Sequence, residues 1–259
     1  MKEVNLNKHE RLDDLLCNDM QIIQSAEVFS FSMDAVLLSH FCSVPTKGNI
    51  IDLCTGNGVI PLLLTARTKG NITGVEIQER LADMAHRSVE LNQLQHQIRI
   101  DQGDIRHYHE TCGYGQFDLV TVNPPYMRDS TGRQNINEYV AIARHEIRCT
   151  LEDVIAASSK CVKSGGKVAM VHRPSRIAEI LMIMQQYRLA PKRIRFVHPH
   201  VHKEANMVLV EAISDGKPDV RLLPPLIVYE ADHQYSEEIK RIYNENNMKV
   251  ESCNEHEQQ

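Results

Sequence analysis

Four consecutive residues, Asn123-Pro124-Pro125-Tyr126, follow the apolar run Phe117–Val122. Their types suit one chemical problem. An exocyclic amino nitrogen is a poor nucleophile because its lone pair is delocalised into the neighbouring ring or carbonyl. Two acceptors, the Asn123 side-chain oxygen and the Pro124 carbonyl, can each take one of its N–H bonds. That localises the lone pair and stabilises positive charge as the nitrogen is alkylated. Consecutive prolines hold φ near roughly −65° and keep the acceptors in place. Tyr126 can stack on a planar target, a contact worth about 1–3 kcal/mol for a base. No separate general base is required, since the amino group becomes acidic as it is alkylated. Standing alone, the tetrapeptide would also read as a rigid turn at a strand end.

Upstream lies a loop that could hold the alkyl donor. Asp52-Leu53-Cys54-Thr55-Gly56-Asn57-Gly58-Val59-Ile60-Pro61 ends one apolar run and opens a helical pattern. Glycines at 56 and 58 allow a tight turn and close approach of a ligand. Where a dinucleotide fingerprint has its third glycine, this chain has Pro61, which suits the first turn of a helix. A pyrophosphate needs a glycine-lined helix start, whereas S-adenosylmethionine carries no phosphate and tolerates the looser Gly-x-Gly. Asp52 is expected to reach the methionine amino group, directly or through water, and Thr55 belongs to the same loop. Glu76 follows Gly56 by 20 positions and is expected to accept from ribose hydroxyls, with Ile77 beside it. Asp104, in Gln102-Gly103-Asp104-Ile105, is expected to accept from the adenine amino group, although Gly-Asp is also ordinary turn chemistry.

These residues need a sheet to align them. Short apolar runs alternate with longer helical patterns from residue 49 onward: Asn49–Leu53, a helix over Val59–Thr68, Asn71–Ile77, a helix over Gln78–Asn92, Gln97–Asp101, Phe117–Val122, a helix over Leu151–Val162, Lys167–His172 and a helix over Ser175–Tyr187. Near-continuous apolar strands separated by helices imply right-handed crossovers and a parallel sheet buried on both faces. Two last strand candidates, Arg193–Val197 and Ala205–Ala212, have no helix between them and should pair as an antiparallel hairpin at the sheet edge. The expected fold is therefore α/β, a doubly wound sheet, mostly parallel with a terminal antiparallel hairpin. A short N-terminal extension precedes it, in which Ser32 is a candidate cap for an apolar helix over Ala35–Phe41.

Composition bounds the rest. The chain has 259 residues, 42% hydrophobic and 24% charged, enough for one generous domain. Neither a signal sequence nor a run of roughly 18 apolar residues is present, and a cytoplasmic location away from membranes is expected. Seven cysteines without a C-x-x-C pair argue against a disulfide framework or zinc ribbon. Net charge is −5, yet Arg173, Arg176, Arg188, Lys192, Arg193, Arg195 and Lys203 crowd one stretch, and acidic residues crowd the tail after Tyr229. His198-Pro199-His200-Val201-His202 reads as a loop ahead of a metal cluster, since no carboxylate or cysteine completes a set; no metal is expected.

The Asp52-Leu-Cys-Thr-Gly-Asn-Gly loop, Gly74-Val-Glu76, Gly103-Asp-Ile105 and Asn-Pro-Pro-Tyr, in this order, resemble class I amino methyltransferases. Phe29-Ser-Phe-Ser-Met-Asp34-Ala-Val-Leu-Leu and Ala143-Arg-His-Glu146 narrow the likeness over roughly residues 10–230. There the chain resembles the bacterial tRNA1(Val) adenine-37 N6-methyltransferases, relatives of the methyltransferase small domain proteins. The resemblance implies a Rossmann-like class I sheet and S-adenosylmethionine as cofactor, with tRNA as partner. It assigns cofactor contacts to Asp52, Thr55, Gly56, Gly58, Glu76, Ile77, Asp104, Ile105 and Asn123, and catalysis to Asn123, Pro124, Pro125 and Tyr126. Phe31 and Asp34 would close over the methionine end.

Three segments follow: residues 1–45 as an extension closing the cofactor pocket, 46–230 as the methyltransferase domain, and 231–259 as an acidic helix and tail. A monomer or weak homodimer is expected. Arg128, Arg133, Arg144, His145, Arg195 and His200 are candidate RNA contacts, because an extruded adenine needs a cationic rim for its flanking phosphates. An amide nitrogen poses the same lone-pair problem, so a protein glutamine, as in a release factor, is the rival acceptor. Those enzymes usually carry a separate helical N-terminal domain, for which residues 1–45 are too short. Ribosomal RNA or DNA adenine is a further rival that the tetrapeptide does not separate from tRNA.

Overall fold

The computed structural model describes residues 5–15, 17–27, 33–124, 149–231 and 234–245. In chain order the strands are β1 (Glu10–Asp14), β2 (Gln21–Ser25), β3 (Asn49–Leu53), β4 (Asn71–Glu76), β5 (Ile98–Gln102), β6 (Phe117–Val122), β7 (Val162–His172), β8 (Leu189–His198), β9 (Met207–Ser214), β10 (Arg221–Leu222), β11 (Leu226–Ile227), β12 (Tyr229–Ala231) and β13 (Gln234–Tyr235). The helices are α1 (Met33–Phe41), α2 (Val59–Thr65), α3 (Glu79–Leu91), α4 (Ile105–Cys112), α5 (Leu151–Cys161), α6 (Ile177–Gln186) and α7 (Glu237–Glu245).

One sheet carries the molecule, in the order β10-β8-β9-β7-β6-β3-β4-β5, with β11 also pairing to β8. From β5 across to β7 every pairing is parallel. Alternate side chains of each strand enter different layers. Ile50 and Leu119 pack with Leu37, Leu38 and Leu62 on one face, while Ile51, Val120 and Val122 pack with Val154, Ile155 and Ile180 on the other. Two apolar faces on one strand require a helical layer on each side, which makes the sheet doubly wound. Thr150 and Asp153 start α5 with a reciprocal capping box, the Asp153 amide donating to Thr150 Oγ1 at 3.1 Å and the Thr150 amide to Asp153 Oδ2 at 2.9 Å.

The expected hairpin forms, with a refinement of its place. β9 inserts between β7 and β8, antiparallel to both. Its first six residues are all buried, so it needs neighbours on each edge. β8 carries the partly exposed Lys192, Arg193 and Arg195 and tolerates the outer position. Two short strips, β10 and β11, then pair with β8 in parallel and cover that edge.

The N-terminal extension holds a hairpin that the sequence reading did not anticipate. β1 pairs with β2, and β2 lies on α3: the Ile23 amide donates to Ser88 Oγ at 3.0 Å, and Arg87 binds Glu10 at 2.7 Å. Ser32, the expected cap of α1, lies outside the described residues. At the other end α7 is anchored in the main core by Ile239 and Ile242.

Candidate cofactor and catalytic site

The chain runs from β3 outward through β4 to β5, then crosses back to place β6 on the other side of β3. That reversal is the topological switch point, where ligands bind beyond the carboxyl ends of the strands in open α/β sheets. Register holds the ends level: Leu53 pairs with Val75 and with Val122, and Glu76 with Gln102. The Gly loop, Glu76, Asp104 and Asn123 therefore stand in one row across four neighbouring strands.

Local backbone shapes the loop after β3. Cys54, Gly56 and Gly58 all have positive φ, at 58°, 58° and 85°. At Gly58 a Cβ would also lie 3.1 Å from the Ala85 Cβ on α3, so glycine permits both the turn and the helix contact. At Gly56 a Cβ would meet nothing within 4 Å, so its backbone faces open space. Thr55 is buried; its amide donates to the Val75 carbonyl at 3.0 Å and its hydroxyl to Asp52 Oδ2 at 2.6 Å.

Asp52 is fully buried. Its other oxygen accepts from the Thr121 hydroxyl at 2.7 Å. Burial pushes this carboxyl up to about 7 and the neighbouring Glu76 adds repulsion, while the two hydroxyl bonds oppose the rise. Glu76 is also buried, with Oε2 accepting from the Gly56 amide at 2.9 Å and Oε1 from the Gln78 amide at 3.0 Å. Burial raises its pKa too, against the pull of those amides. Gln78, buried beside it, has a side-chain Oε1 with no hydrogen-bond partner among the described residues. Ile77 is partly exposed and Ile105 is buried.

Asp104 differs from the other two acids. It caps α4 by accepting from the Arg106 amide at 3.0 Å and pairs with the Arg106 guanidinium, whose side-chain bond holds it below the usual carboxylate range. Asn123 follows β6 directly and is partly exposed, and Pro124 is buried. Pro125 and Tyr126, with Arg128, Arg133, Arg144, His145 and Phe31, lie outside the described residues; Asp34 is in the first turn of α1. The two remaining RNA candidates separate. His200 is in the turn after β8. Arg195 donates to the Pro224 carbonyl at 2.9 Å and binds Glu238 of α7 at 2.8 Å, so it fastens the C-terminal helix to the sheet.

Sequence reasoning missed three residues of this site. Thr121 holds Asp52 from the neighbouring strand, and its signal was the one hydroxyl in Phe117–Val122. Asn57, buried, donates through Nδ2 to the Ile23 carbonyl at 3.1 Å and ties the Gly loop to the N-terminal hairpin. Gln78 had only its nearness to Glu76 to mark it. Among the described residues no group of three His, Cys, Asp or Glu side chains could hold a metal ion, and no helix among them is long and apolar enough to cross a membrane.

Sheet order, the Gly loop and the acidic strand ends define a Rossmann-like methyltransferase that uses S-adenosylmethionine. Comparison with known proteins agrees. Residues 19–196 match the family model of the methyltransferase small domain. A tRNA1(Val) (adenine(37)-N6)-methyltransferase of Porphyromonas gingivalis is 28% identical over 221 residues, 81% of this chain and 85% of that protein. One of the same name from Aeromonas salmonicida is 30% identical over 179 residues, 68% of this chain and 73% of that protein. The crystal structure of a predicted O-methyltransferase from Agrobacterium tumefaciens superposes with a TM-score of 0.66 at 25% identity, covering 83% of this chain and 97% of that one. The chain belongs to the methyltransferase small domain family, and within it to the group that contains these tRNA-modifying enzymes.

Proposed function

We propose that this chain transfers a methyl group from S-adenosylmethionine to N6 of an adenine in tRNA, adenosine 37 of a valine tRNA. The observation that carries this reading is the row of strand ends. A buried acidic pocket on β3 and β4 stands immediately beside Asn123 and Pro124 on β6.

The pocket residues fit the cofactor. Glu76 presents a buried carboxylate at the strand end, oriented by the Gly56, Ile77 and Gln78 amides, where ribose hydroxyls can share its oxygens. Gln78 Oε1 is a buried acceptor still needing a donor, and a ribose hydroxyl supplies one. Asp52, poised near neutrality by burial, ionises readily once a cationic ammonium group approaches. Gly56 leaves the space that a side chain would fill, and Ile77 offers an apolar surface beside the ribose site. Asp104 can accept from the adenine amino group only by sharing its carboxylate with Arg106.

When bound, S-adenosylmethionine supplies a methyl group on a cationic sulfur. The Asn123 side-chain oxygen and the Pro124 carbonyl accept the two N–H bonds of the target amino group and direct its lone pair. Pro125 fixes the Pro124 carbonyl, and Tyr126 stacks on the base. Residues 1–45 cover the cofactor side, with the Asn57 to Ile23 bond as their tether. The described part of this extension is a hairpin packed on α3, followed by α1.

Transfer of labelled methyl to tRNA from cells lacking this gene, followed by nucleoside mass analysis, tests the reading. N6-methyladenosine is expected. Cofactor binding without transfer to tRNA would overturn the substrate and direct the search to ribosomal RNA, then to protein glutamine.

A further inference from the structure

β2 has a strand along one edge and a helix along the other. β1 pairs with the first edge. On the second, side chains of α3 stand in for a strand. Asn92, the C-terminal cap of α3, takes both backbone groups of Gln21. The Gln21 amide donates to Asn92 Oδ1 at 3.0 Å, and Asn92 Nδ2 donates to the Gln21 carbonyl at 2.7 Å. One turn back, Ser88 Oγ accepts from the Ile23 amide at 3.0 Å. Two further turns back, Arg80 donates to Ser25 Oγ at 3.2 Å and to Glu27 Oε2 at 3.1 Å. Positions 80, 84, 88 and 92 share one face because they recur every four residues, and Met84 packs there with Ile23 and Leu81.

One backbone group on this edge is taken by a different element. The Ile23 carbonyl accepts from Asn57 Nδ2 at 3.1 Å. Asn57 stands between Gly56 and Gly58, both with positive φ. Asn57, Ile23 and Ser88 are at most 2% exposed, so water does not compete for these bonds. A turn built on two glycines is costly to order. Backbone bonds hold it at its ends: the Thr55 amide to the Val75 carbonyl, the Gly56 amide to Glu76, and the Gly58 amide to the Thr55 carbonyl. The Asn57 side chain supplies a hold at its centre. Gly58 also lies against Ala85 of α3, so the cofactor loop, α3 and β2 meet around Asn57.

We infer that Asn57 is a positioning residue through which the N-terminal hairpin sets the shape of the cofactor loop. With Ile23 docked, the Gly56 amide and Glu76 stand where the ribose needs them; with the cofactor bound, the hairpin is held more firmly. The inference rests on the cofactor site proposed above. Linkage makes the two effects equal: whatever hairpin docking adds to cofactor binding, cofactor binding adds to hairpin docking. A bond buried from water suits this role, because breaking it strands a polar group on each side.

Hydrogen exchange of the full chain, with and without S-adenosylhomocysteine, tests the coupling in the peptide covering residues 20–27. In the wild type, saturating S-adenosylhomocysteine should slow exchange there about tenfold, an ordinary coupling between two sites. Asn57→Ala should bind S-adenosylhomocysteine about tenfold more weakly by calorimetry, and saturation should no longer slow β2. Ser88→Ala loosens the same strand from its other hold. It should weaken S-adenosylhomocysteine about threefold in the wild-type background and no further in Asn57→Ala. A purely structural role gives the opposite pattern: losses that add, and equal slowing of β2 in wild type and Asn57→Ala. Either of those results, or unslowed exchange in the wild type, would overturn the coupling. Melting temperatures report that the variants fold, and the milder Asn57→Ser carries the test if Asn57→Ala does not. Failure of the wild type to bind S-adenosylhomocysteine would instead overturn the cofactor site on which the inference rests.

Discussion

The two halves of the sheet end in opposite chemistries. Across β3 to β5 the strand ends are acidic and withdrawn: Asp52 and Glu76 are buried, and each oxygen already accepts from a backbone amide or a hydroxyl. Across β7 to β8 they are basic, aromatic and open, with Arg173, His202 and Lys203 at the surface. A small cationic ligand that must be oriented closely gains most from preorganised acceptors in low dielectric, where an uncompensated carboxylate is costly until its partner arrives. A large polyanion needs reach and many weak contacts, which exposed groups supply without desolvation cost. Between them, Asn123 and Pro124 belong to both.

That contrast can be broken at its seam first. Asn123→Ala should lower turnover by about two to three orders of magnitude, roughly 3–4 kcal/mol of barrier, while S-adenosylmethionine binds calorimetrically as in wild type. Unchanged turnover would mean that the row of strand ends is not the reaction centre. On the cofactor side, Glu76→Ala strips the Gly56, Ile77 and Gln78 amides of their acceptor and should cost about 2–3 kcal/mol in cofactor affinity or stability. A variant that titrates with wild-type affinity and melts unchanged would remove the ribose assignment.

Asp52 sharpens the comparison through pH. Its folded-state value of about 7 lies above the ordinary 3.8, so the folded protein holds the proton more tightly than the unfolded chain. The corresponding stability is complete below about pH 4 and is lost as pH rises through 7. Relative to Asp52→Asn, the ligand-free wild type should lose up to about 1.4 kcal/mol per pH unit across that window. Parallel denaturation curves at each pH would contradict this. Smallest of all, Arg106→Ala removes a surface pair and should change stability by less than about 1 kcal/mol. By releasing Asp104 it should leave cofactor affinity equal or slightly better; a marked loss would make Arg106 a ligand contact in its own right.

Much of this was legible in one dimension. Near-continuous apolar runs alternating with helical patterns dictate a doubly wound sheet, because strands with two apolar faces need helices on both. Gly56 and Gly58 announce a loop that L-residues with side chains strain to follow, and Glu76 and Asp104 fall at the next two strand ends by simple counting. The hairpin of β8 and β9 was also legible, but not the insertion of β9, since strand order depends on which edge is left to cover. Nor could spacing reveal that Arg195 fastens α7, or that Arg176, Arg188 and Arg193 pair with Glu179, Asp215 and Glu211.

Local chemistry, then, was determined by the sequence itself: residue types at strand ends, turn glycines and an acceptor pair before fixed prolines are properties of neighbours along the chain. Only the tertiary structure decided the partners of those residues. Thr121 reaches Asp52 across 69 positions and Asn57 reaches Ile23 across 34, and the rings of His200, Tyr229 and Tyr243 form one file although separate elements carry them. Burial, which raises Asp52 toward neutrality and leaves Gln78 an acceptor without a donor, arises from packing the whole sheet between its helices, and no short stretch of sequence contains it.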